Sequence, residues 1–357
     1  MREKITFVIP AYNAEKTIER TIESILHQTD DRYKIVIVND GSIDDTDVIC
    51  REYQSKYAEK ILYIVQENRG QGGARNHGLQ YVMTDYVSFL DSDDWLMPDF
   101  VEKIVSALER CLQSKIEMIV TLPQIYHERS NAVRAWYDEA LFHEIFTEDG
   151  VVINPQGEQR VYQFEVNQCR KILHMDFVKR VKFQFREQIK WEDVYPHFYL
   201  FSKCETCMGV PSVGFYYRVG SGEQTTASRG KNRLDFLEVI EDMTNYVQEE
   251  KRYDLCFPVM RVIVRFAIGG IRMADIETRE QLVQEYYRVF RNLPDIYEKA
   301  LKQEAKKNYS KADALQYRLF ILAIKHRCFN FIFKDYLYQD IGEKLVKKVL
   351  RAGQRVA

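Results

Sequence analysis

Residues 89–95 read Phe-Leu-Asp-Ser-Asp-Asp-Trp and follow a short hydrophobic run. Three carboxylates within four residues repel one another unless a positive charge lies beside them. Mg²⁺ and Mn²⁺ favour carboxylate oxygens and bind with few protein ligands together with phosphates. In an extended backbone Asp91 and Asp93 point to the same side. The stretch therefore indicates a divalent-cation site at a strand end, with a solvated acidic turn as the structural alternative.

Around this stretch, short runs rich in β-branched and aromatic residues alternate with helical periodicity over the first 120 residues. The predicted strands are 5–9, 33–38, 61–65, 86–90 and 118–122, and the predicted helices are 15–27, 44–56, 73–83 and 99–113. This repetition predicts an α/β fold, a mostly parallel sheet flanked by helices. Ligand sites of such sheets lie beyond the carboxyl ends of the strands. The polar clusters that follow the strands are therefore expected to converge on one edge.

The rest of the chain changes character twice. Strands are predicted at 161–166 and 210–217, and helices at 168–180 and 192–201. From about residue 231 nearly everything is helical, which predicts two domains, 1–230 and 231–357, with the second a helical region. Its end, 341–356, is basic and amphipathic, so it can lie on an anionic membrane surface or pack on the domain with its basic face in solvent. The aromatic-rich tail can equally bury itself against a second copy of the chain.

The composition is that of an ordinary globular protein, with 46% hydrophobic residues and a formal net charge of −2. Such a charge argues against a general nucleic-acid-binding function. No apolar run is long enough to span a bilayer and no secretory signal is evident, which predicts a cytoplasmic protein. Seven irregularly spaced cysteines indicate reduced thiols rather than a disulfide framework.

Three further segments offer nucleotide-binding groups. Asp40, in the turn at 39–42, can accept a hydrogen bond from the imide of a uracil or thymine ring. The opening segment 10–13 offers an aromatic face and a small residue against which a base can stack. Arg75 is a partner for a nucleotide, or for an aspartate that it holds in place. The glycine-rich segment 67–76 lacks the Lys-Ser/Thr of a P-loop and does not match the dinucleotide fingerprint.

The segment Lys190-Trp191-Glu192-Asp193 places two acids at an apparent helix start. An acid there can simply complement the helix dipole. It can instead act as a general base if it faces the acidic edge, the edge of the sheet that carries residues 91–94. Trp191 offers a stacking face to an acceptor sugar, or it packs in the core.

Together these motifs resemble the family-2 class of inverting glycosyltransferases with the GT-A fold, over about residues 1–220. The motifs that carry the resemblance, in the family's order, are 8–13, 39–42, 68–70 with 74–78, 91–94, 192–193 and 216–218. One departure is Asn39, where the family often has aspartate. The resemblance implies that Asp193 is the catalytic base and that Asp93 binds Mn²⁺ or Mg²⁺. Trp191 and Glu192, which precede this base, are expected to face the acceptor. The nucleotide-binding residues that it implies are Pro10, Ala11, Tyr12, Asn13, Asp40, Arg75, Asp91 and Ser92.

The function that the resemblance implies is transfer of one sugar from a nucleotide-sugar to a hydroxyl of a glycan or lipid-linked saccharide, in cell-surface polysaccharide synthesis. A UDP-sugar is the expected donor because Asp40 suits uracil. The processive Gln-x-x-Arg-Trp motif and membrane spans are absent, which favours single-sugar transfer. A nucleotidyltransferase would need a glycine-rich basic signature that 8–14 lacks. A catalytically silent subunit is the other alternative, although Asp91, Asp93 and Asp193 are all present.

Overall fold

The computed structural model describes residues 3–111, 115–220 and 229–304. The chain forms two compact units, 1–224 and 225–357. The strands of the first unit are β1 (Ile5–Ala11), β2 (Tyr33–Asn39), β3 (Ile61–Val65), β4 (Tyr86–Phe89), β5 (Trp95–Leu96), β6 (Met118–His127), β7 (Ala132–Ala135), β8 (Val151–Ile153), β9 (Lys171–His174) and β10 (Cys207–Val219). Its helices are α1 (Ile18–Leu26), α2 (Thr46–Lys56), α3 (Gly70–Leu79), α4 (Phe100–Arg110), α5 (Glu139–Ile145), α6 (Met175–Arg180) and α7 (Val194–Lys203).

These strands form one sheet in the order β3-β2-β1-β4-β9-β6-β10-β5, with β7 on β6 and β8 on β10. The ladders joining β1 to β2 and β4, and β2 to β3, are all parallel. Beyond β4 the sheet becomes mixed, because β9 runs antiparallel to both of its neighbours while β10 runs parallel to β6. The predicted α/β fold is confirmed, with the parallel arrangement confined to the first four strands and to the β6–β10 pair.

Two sequence-based assignments were wrong. Residues 168–180 are not one helix, because Lys171–His174 form β9 and only Met175–Arg180 are helical. Ile172 and Leu173 are both fully buried in this central strand, and a short run that is apolar on both faces cannot be told from a helix by its periodicity. Residues 161–166 are not a strand; a 3₁₀ turn at Gln159–Gln163 places their aromatic side chains against α5 and α7.

The second unit is helical over its described part. Its helices are α8 (Phe236–Glu249), α9 (Cys256–Met273), α10 (Ile276–Asn292) and α11 (Asp295–Glu304). No helix within the described ranges is long and apolar enough to cross a membrane. The basic segment 341–356 lies outside the described residues. All six cysteines in the described ranges are free thiols, as predicted.

Helix α3 lies very close to the parallel strands, and Gly78 makes this approach possible. A Cβ atom at Gly78 would lie 2.4 Å from Val8 Cγ1 and 3.1 Å from Val38 Cγ2. Both valines are buried in the centre of the sheet, so neither can move without displacing a strand. The position of α3, which carries Arg75, therefore depends on this glycine.

We expect Gly78→Ala to destabilise the first unit by about 1–3 kcal/mol, the usual cost of overpacking a dense core. The measurement is the denaturant midpoint of unfolding. Gly157→Ala in the same unit is the matched control, since its Cβ would meet only Asn154 O at 3.6 Å. Equal midpoints for the two variants would contradict the close packing of α3.

Candidate active site

The turns that follow β1 and β2 interlock at one edge of the sheet. The parallel register places Ala11 opposite Asn39, so the residues after both strands emerge side by side. The Asn13 backbone N–H donates to Ser42 Oγ at 3.0 Å, and Ile43 N–H donates to Asn13 Oδ1 at 2.9 Å. Asn13 adopts a left-handed conformation with φ of 48°, which asparagine tolerates better than most residues. The convergence predicted from the sequence is therefore confirmed at these two strands.

Asp40 is buried at this edge with one carboxylate oxygen fixed by the protein. Asp40 Oδ1 accepts from Gln66 Nε2 at 2.6 Å and from Arg69 N at 2.8 Å. Asp40 N–H donates to Ala11 O at 2.8 Å, which ties the carboxylate to the end of β1. Gly41 follows with φ of 77°, a conformation that favours glycine. Tyr12, which follows Ala11 in the chain, has 51% of its surface exposed. These contacts hold Asp40 rigidly at the end of β1.

Arg75 links three parts of the first unit. From α3 its Nη2 contacts Asp91 Oδ1 at 2.7 Å, and its Nη1 contacts Glu192 Oε1 at 2.6 Å. Gln71 Nε2 donates to the same Asp91 oxygen at 2.7 Å. Arg75 is 2% exposed, and this burial lowers the pKa of its guanidinium. Asp91 and Glu192 together raise that pKa by more, so the net shift is upward. Of the two interpretations of Arg75, the described contacts are those of an arginine that holds carboxylates in place.

Asp93 and Asp94, which follow β4, are carboxylates whose pKa values are raised by burial and by neighbouring acids. Burial, and then the charge of Asp91, raise the pKa of Asp93 to about 6. Asp94 is fully buried, and burial followed by the charge of Asp93 raises its pKa as well. Asp94 Oδ1 accepts from Arg218 N at 2.9 Å, whereas its Oδ2 has no hydrogen-bond partner in the described residues. A buried carboxylate oxygen without a hydrogen-bond donor is one to which a cation can bind.

A potential ligand set exists at the same place. One ligand atom each from Asp91, Asp94 and Cys169 lie within 4.8 Å of one another. The two carboxylates supply the hard oxygen donors that Mg²⁺ and Mn²⁺ prefer. Burial, and then Asp91, raise the pKa of the Cys169 thiol, which makes it the poorest donor of the three. Asp93, the residue predicted to bind the metal, is not part of this group.

Asp193 is the first residue before α7, yet its side chain makes no capping hydrogen bond. Burial, and then the neighbouring Glu192, raise its pKa to about 7, while Arg75 and Lys171 act in the opposite direction. A carboxylate of this pKa near neutral pH is well matched to proton transfer. Asp193 therefore does not cap α7 through its side chain, although its place at the start of the helix still suits an acid that complements the helix dipole.

The two residues before Asp193 differ in their surroundings. Glu192, predicted to face an acceptor, is 7% exposed and its carboxylate contacts Arg75. Trp191 is half-buried and has a φ of 66°, which is rare for a bulky residue. Such a backbone conformation in the turn before α7 is the kind of strain that accompanies functional sites.

Lys171 is a site residue that sequence reasoning missed. It is fully buried, its Nζ donates to Asn167 O at 2.7 Å, and burial followed by the charge of Arg170 lowers its pKa to about 7. The charge of Asp193 opposes this shift, so the lysine and the aspartate interact. No signal in the sequence marked Lys171, because it lay inside a segment assigned to a helix.

The family model for glycosyl transferase family 2 matches residues 6–187. The glycosyltransferase GlyA of Streptococcus pneumoniae serotype 4 is 46% identical over 102 residues, which cover 29% of this chain and 14% of that protein. The minor teichoic acid biosynthesis protein GgaB of Bacillus subtilis is 28% identical over 231 residues, 63% of this chain and 24% of that protein. The putative glycosyltransferase EpsH of Bacillus subtilis is 39% identical over 101 residues, 28% of this chain and 29% of that protein. The matches thus span less than a third of these relatives.

The fold is also that of solved structures. TarS 1–349 of S. aureus in complex with UDP-GlcNAc superposes with a TM-score of 0.66 at 17% identity, covering 90% of this chain and 92% of that one. The same protein in complex with UDP gives a TM-score of 0.62 at 17% identity, with coverage of 90% and 91%. At this identity the likeness establishes a shared fold.

Proposed function

The chain belongs to glycosyl transferase family 2, and on this premise we propose that it transfers a single sugar from a UDP-sugar to a saccharide hydroxyl with inversion. The observation that carries the proposal is the pairing of Arg75 with both Asp91 and Glu192, which holds the Asp193 segment against the acidic edge. The acceptor is a glycan or a lipid-linked saccharide of a cell-surface polysaccharide pathway, in keeping with relatives such as GgaB. The basic end at 341–356, outside the described residues, would bring the enzyme to the inner face of the membrane.

The donor's nucleoside is assigned to the edge formed after β1 and β2. Asp40 would accept the uracil imide hydrogen, since Gln66 and Arg69 already fix its orientation. The ring of Tyr12, which follows Ala11 in the chain, is exposed and can stack on the base. Pro10, Ala11 and Asn13 would complete the wall. The UDP-bound complexes of TarS, which shares this fold, support a uridine nucleotide.

The diphosphate is assigned to the acidic edge. Asp91 and Ser92 would lie near the ribose, with Arg75 holding Asp91, and Asp93 would bind Mn²⁺ or Mg²⁺. The raised pKa of Asp93 and the unpartnered Oδ2 of Asp94 support a cation there. Bound at this edge, a divalent cation would neutralise charge on the departing nucleoside diphosphate.

Asp193 is proposed as the general base. Its carboxylate takes the proton of the acceptor hydroxyl while that oxygen forms a bond to the anomeric carbon. The bond between the anomeric carbon and the diphosphate oxygen breaks on the opposite face, so the configuration inverts. A base with a pKa of about 7 is largely ionised just above neutral pH. Lys171, buried close by, would help to keep Asp193 ionised.

The test is release of nucleoside diphosphate from UDP-, GDP- and dTDP-sugars with Mn²⁺ or Mg²⁺, with EDTA as the control. We expect release from a UDP-sugar that depends on the cation. Metal-dependent UDP binding without turnover would indicate that an acceptor is required. No nucleotide binding at all would contradict the proposal and favour a catalytically silent subunit.

A further inference from the structure

Among the described phenylalanine, tyrosine and tryptophan residues, Tyr137 has the largest exposed fraction, 67%. Tyr137 lies in the short turn between β7 and α5, together with Trp136 and Asp138. We propose that Tyr137, supported from inside the protein by the buried Trp136, is the platform on which a pyranose ring of the acceptor saccharide stacks. This proposal rests on the glycosyltransferase function proposed above, and it assigns the acceptor side of that site.

The turn is connected to the acidic edge through stacked rings. The Tyr137 and Trp136 ring centroids are 5.2 Å apart, and Trp136 meets Tyr217 edge-to-face at 5.3 Å. Tyr217 directly precedes Arg218, whose backbone N–H donates to Asp94 Oδ1. Burial, and then the charges of Asp94 and Asp91, raise the pKa of the Tyr217 phenol, in keeping with this position. The rings of Tyr217, Trp136 and Tyr137 therefore form a row that leads from the region of Asp94 to an exposed ring.

The strand register places the turn on the same side. Ala135, the last residue of β7, pairs with Gln124 of β6, and Gln124 pairs with Tyr216 of β10. Only β6 therefore separates Ala135 from Tyr216, and the turn after β7 begins level with the part of β10 that approaches Asp94. The geometry of the sheet, independently of the rings, brings residues 136–138 to the edge that carries the reaction.

The turn is held rigidly, as a binding platform requires. Asp138 Oδ2 accepts from Arg170 Nη1 at 2.7 Å and also from Glu165 N. Arg170 is 1% exposed, so this ion pair is inside the protein. Arg170 lies next to Lys171, which interacts with the proposed base Asp193. The buried Arg170–Asp138 pair thus anchors the turn to the start of β9.

The chemistry of the turn favours a carbohydrate over an apolar partner. Tyr137 combines an exposed aromatic face with a phenol hydroxyl that can donate and accept a hydrogen bond. A saccharide carries an apolar C–H face for the exposed ring and hydroxyls that both donate and accept. An apolar surface would cover the phenol hydroxyl and offer it no hydrogen bond. Glu192, whose carboxylate contacts Arg75, has less capacity to bind such a ligand.

The test is binding of the methyl β-pyranosides of glucose, galactose, N-acetylglucosamine and N-acetylgalactosamine, in the presence of UDP and Mn²⁺. Saturation-transfer NMR should detect at least one of them on the wild-type protein. We expect Tyr137→Ala to weaken that binding about tenfold, the loss of one stacking contact, and Tyr137→Phe to retain it. Tyr57→Ala is the matched control, since Tyr57 is a 40% exposed tyrosine that stacks on Tyr53 at the end of α2.

UDP binding in the presence of Mn²⁺ separates this inference from the proposed function. The Tyr57→Ala control should release UDP at the wild-type rate and bind the pyranosides as the wild type does, since its ring stacks on Tyr53 and neither proposed site includes it. Absence of UDP binding by the wild type in the presence of Mn²⁺ would contradict the proposed function, whether or not a pyranoside binds. No pyranoside bound by the wild type, or equal binding by wild type and Tyr137→Ala, would overturn the acceptor platform.

Discussion

Replacing Asp193 with asparagine is expected to lower kcat by about 10²–10⁴-fold, the usual contribution of a positioned general base. Asparagine has nearly the same size as aspartate but cannot take the proton of the acceptor hydroxyl. The proposed donor site is formed by other residues, so the affinity for UDP should remain at its wild-type value. Steady-state kinetics and UDP titration measure the two quantities. Near-normal turnover by Asp193→Asn would show that a group other than Asp193 takes the proton of the acceptor hydroxyl.

The pH dependence identifies the same residue independently. Because the pKa of Asp193 is raised to about 7 by burial and by Glu192, the base becomes protonated as the pH falls through this value. The wild-type kcat/KM should therefore fall about tenfold per pH unit below 7. The residual kcat/KM of Asp193→Asn should not show this fall below pH 7. Asp176→Asn is a control, since Asp176 is an exposed acid whose pKa is lowered by Lys115.

Replacing Arg75 with methionine is expected to destabilise the first unit by about 3–5 kcal/mol, because it breaks a buried ion pair and leaves unpaired carboxylates. Arg75 is 2% exposed and Glu192 is 8% exposed at their side chains, so water cannot replace the lost contacts. The measurement is the denaturant midpoint of unfolding, read at neutral pH.

Arg69→Met provides the matched control for Arg75. Arg69 pairs with Glu187 at 2.8 Å, but the two side chains are 47% and 33% exposed. Pairs this accessible contribute about 0–1 kcal/mol. Similar losses for the two variants would show that burial does not distinguish the pairs. That result would contradict the role assigned to Arg75 in holding the Asp193 segment.

The first half of the fold could be predicted because each of its strands is a distinct apolar run that ends in turn-forming residues. The residues from Ile5 to Phe89 follow that pattern, and parallel pairing then follows from the helices between the strands. The second half could not be predicted equally well. β9 is a four-residue strand buried on both faces, and its neighbours β4 and β6 precede it by some 50 to 80 residues in the chain. Local periodicity carries no information about such pairings.

The candidate site shows the same limit. Asp40, Asp91 and Asp193 stand out in sequence because each follows a strand or precedes a helix. The contact of Arg75 with Glu192 joins residues 117 positions apart, so sequence reasoning left the role of Arg75 open and assigned Glu192 to the acceptor. Lys171 and Tyr137 carry no local signal, since buried cations and exposed tyrosines become notable only when their neighbours are known.

Release of UDP from a UDP-sugar by the wild type and by Asp93→Ala, each with Mn²⁺ and with EDTA, tests the central claim most directly. The account predicts release by the wild type that requires Mn²⁺, and none above the EDTA background by Asp93→Ala at an unchanged unfolding midpoint. Equal Mn²⁺-dependent release by both proteins would show that Asp93 does not bind the cation. UDP release by the wild type that is equally fast with Mn²⁺ and with EDTA would contradict a metal-dependent transferase.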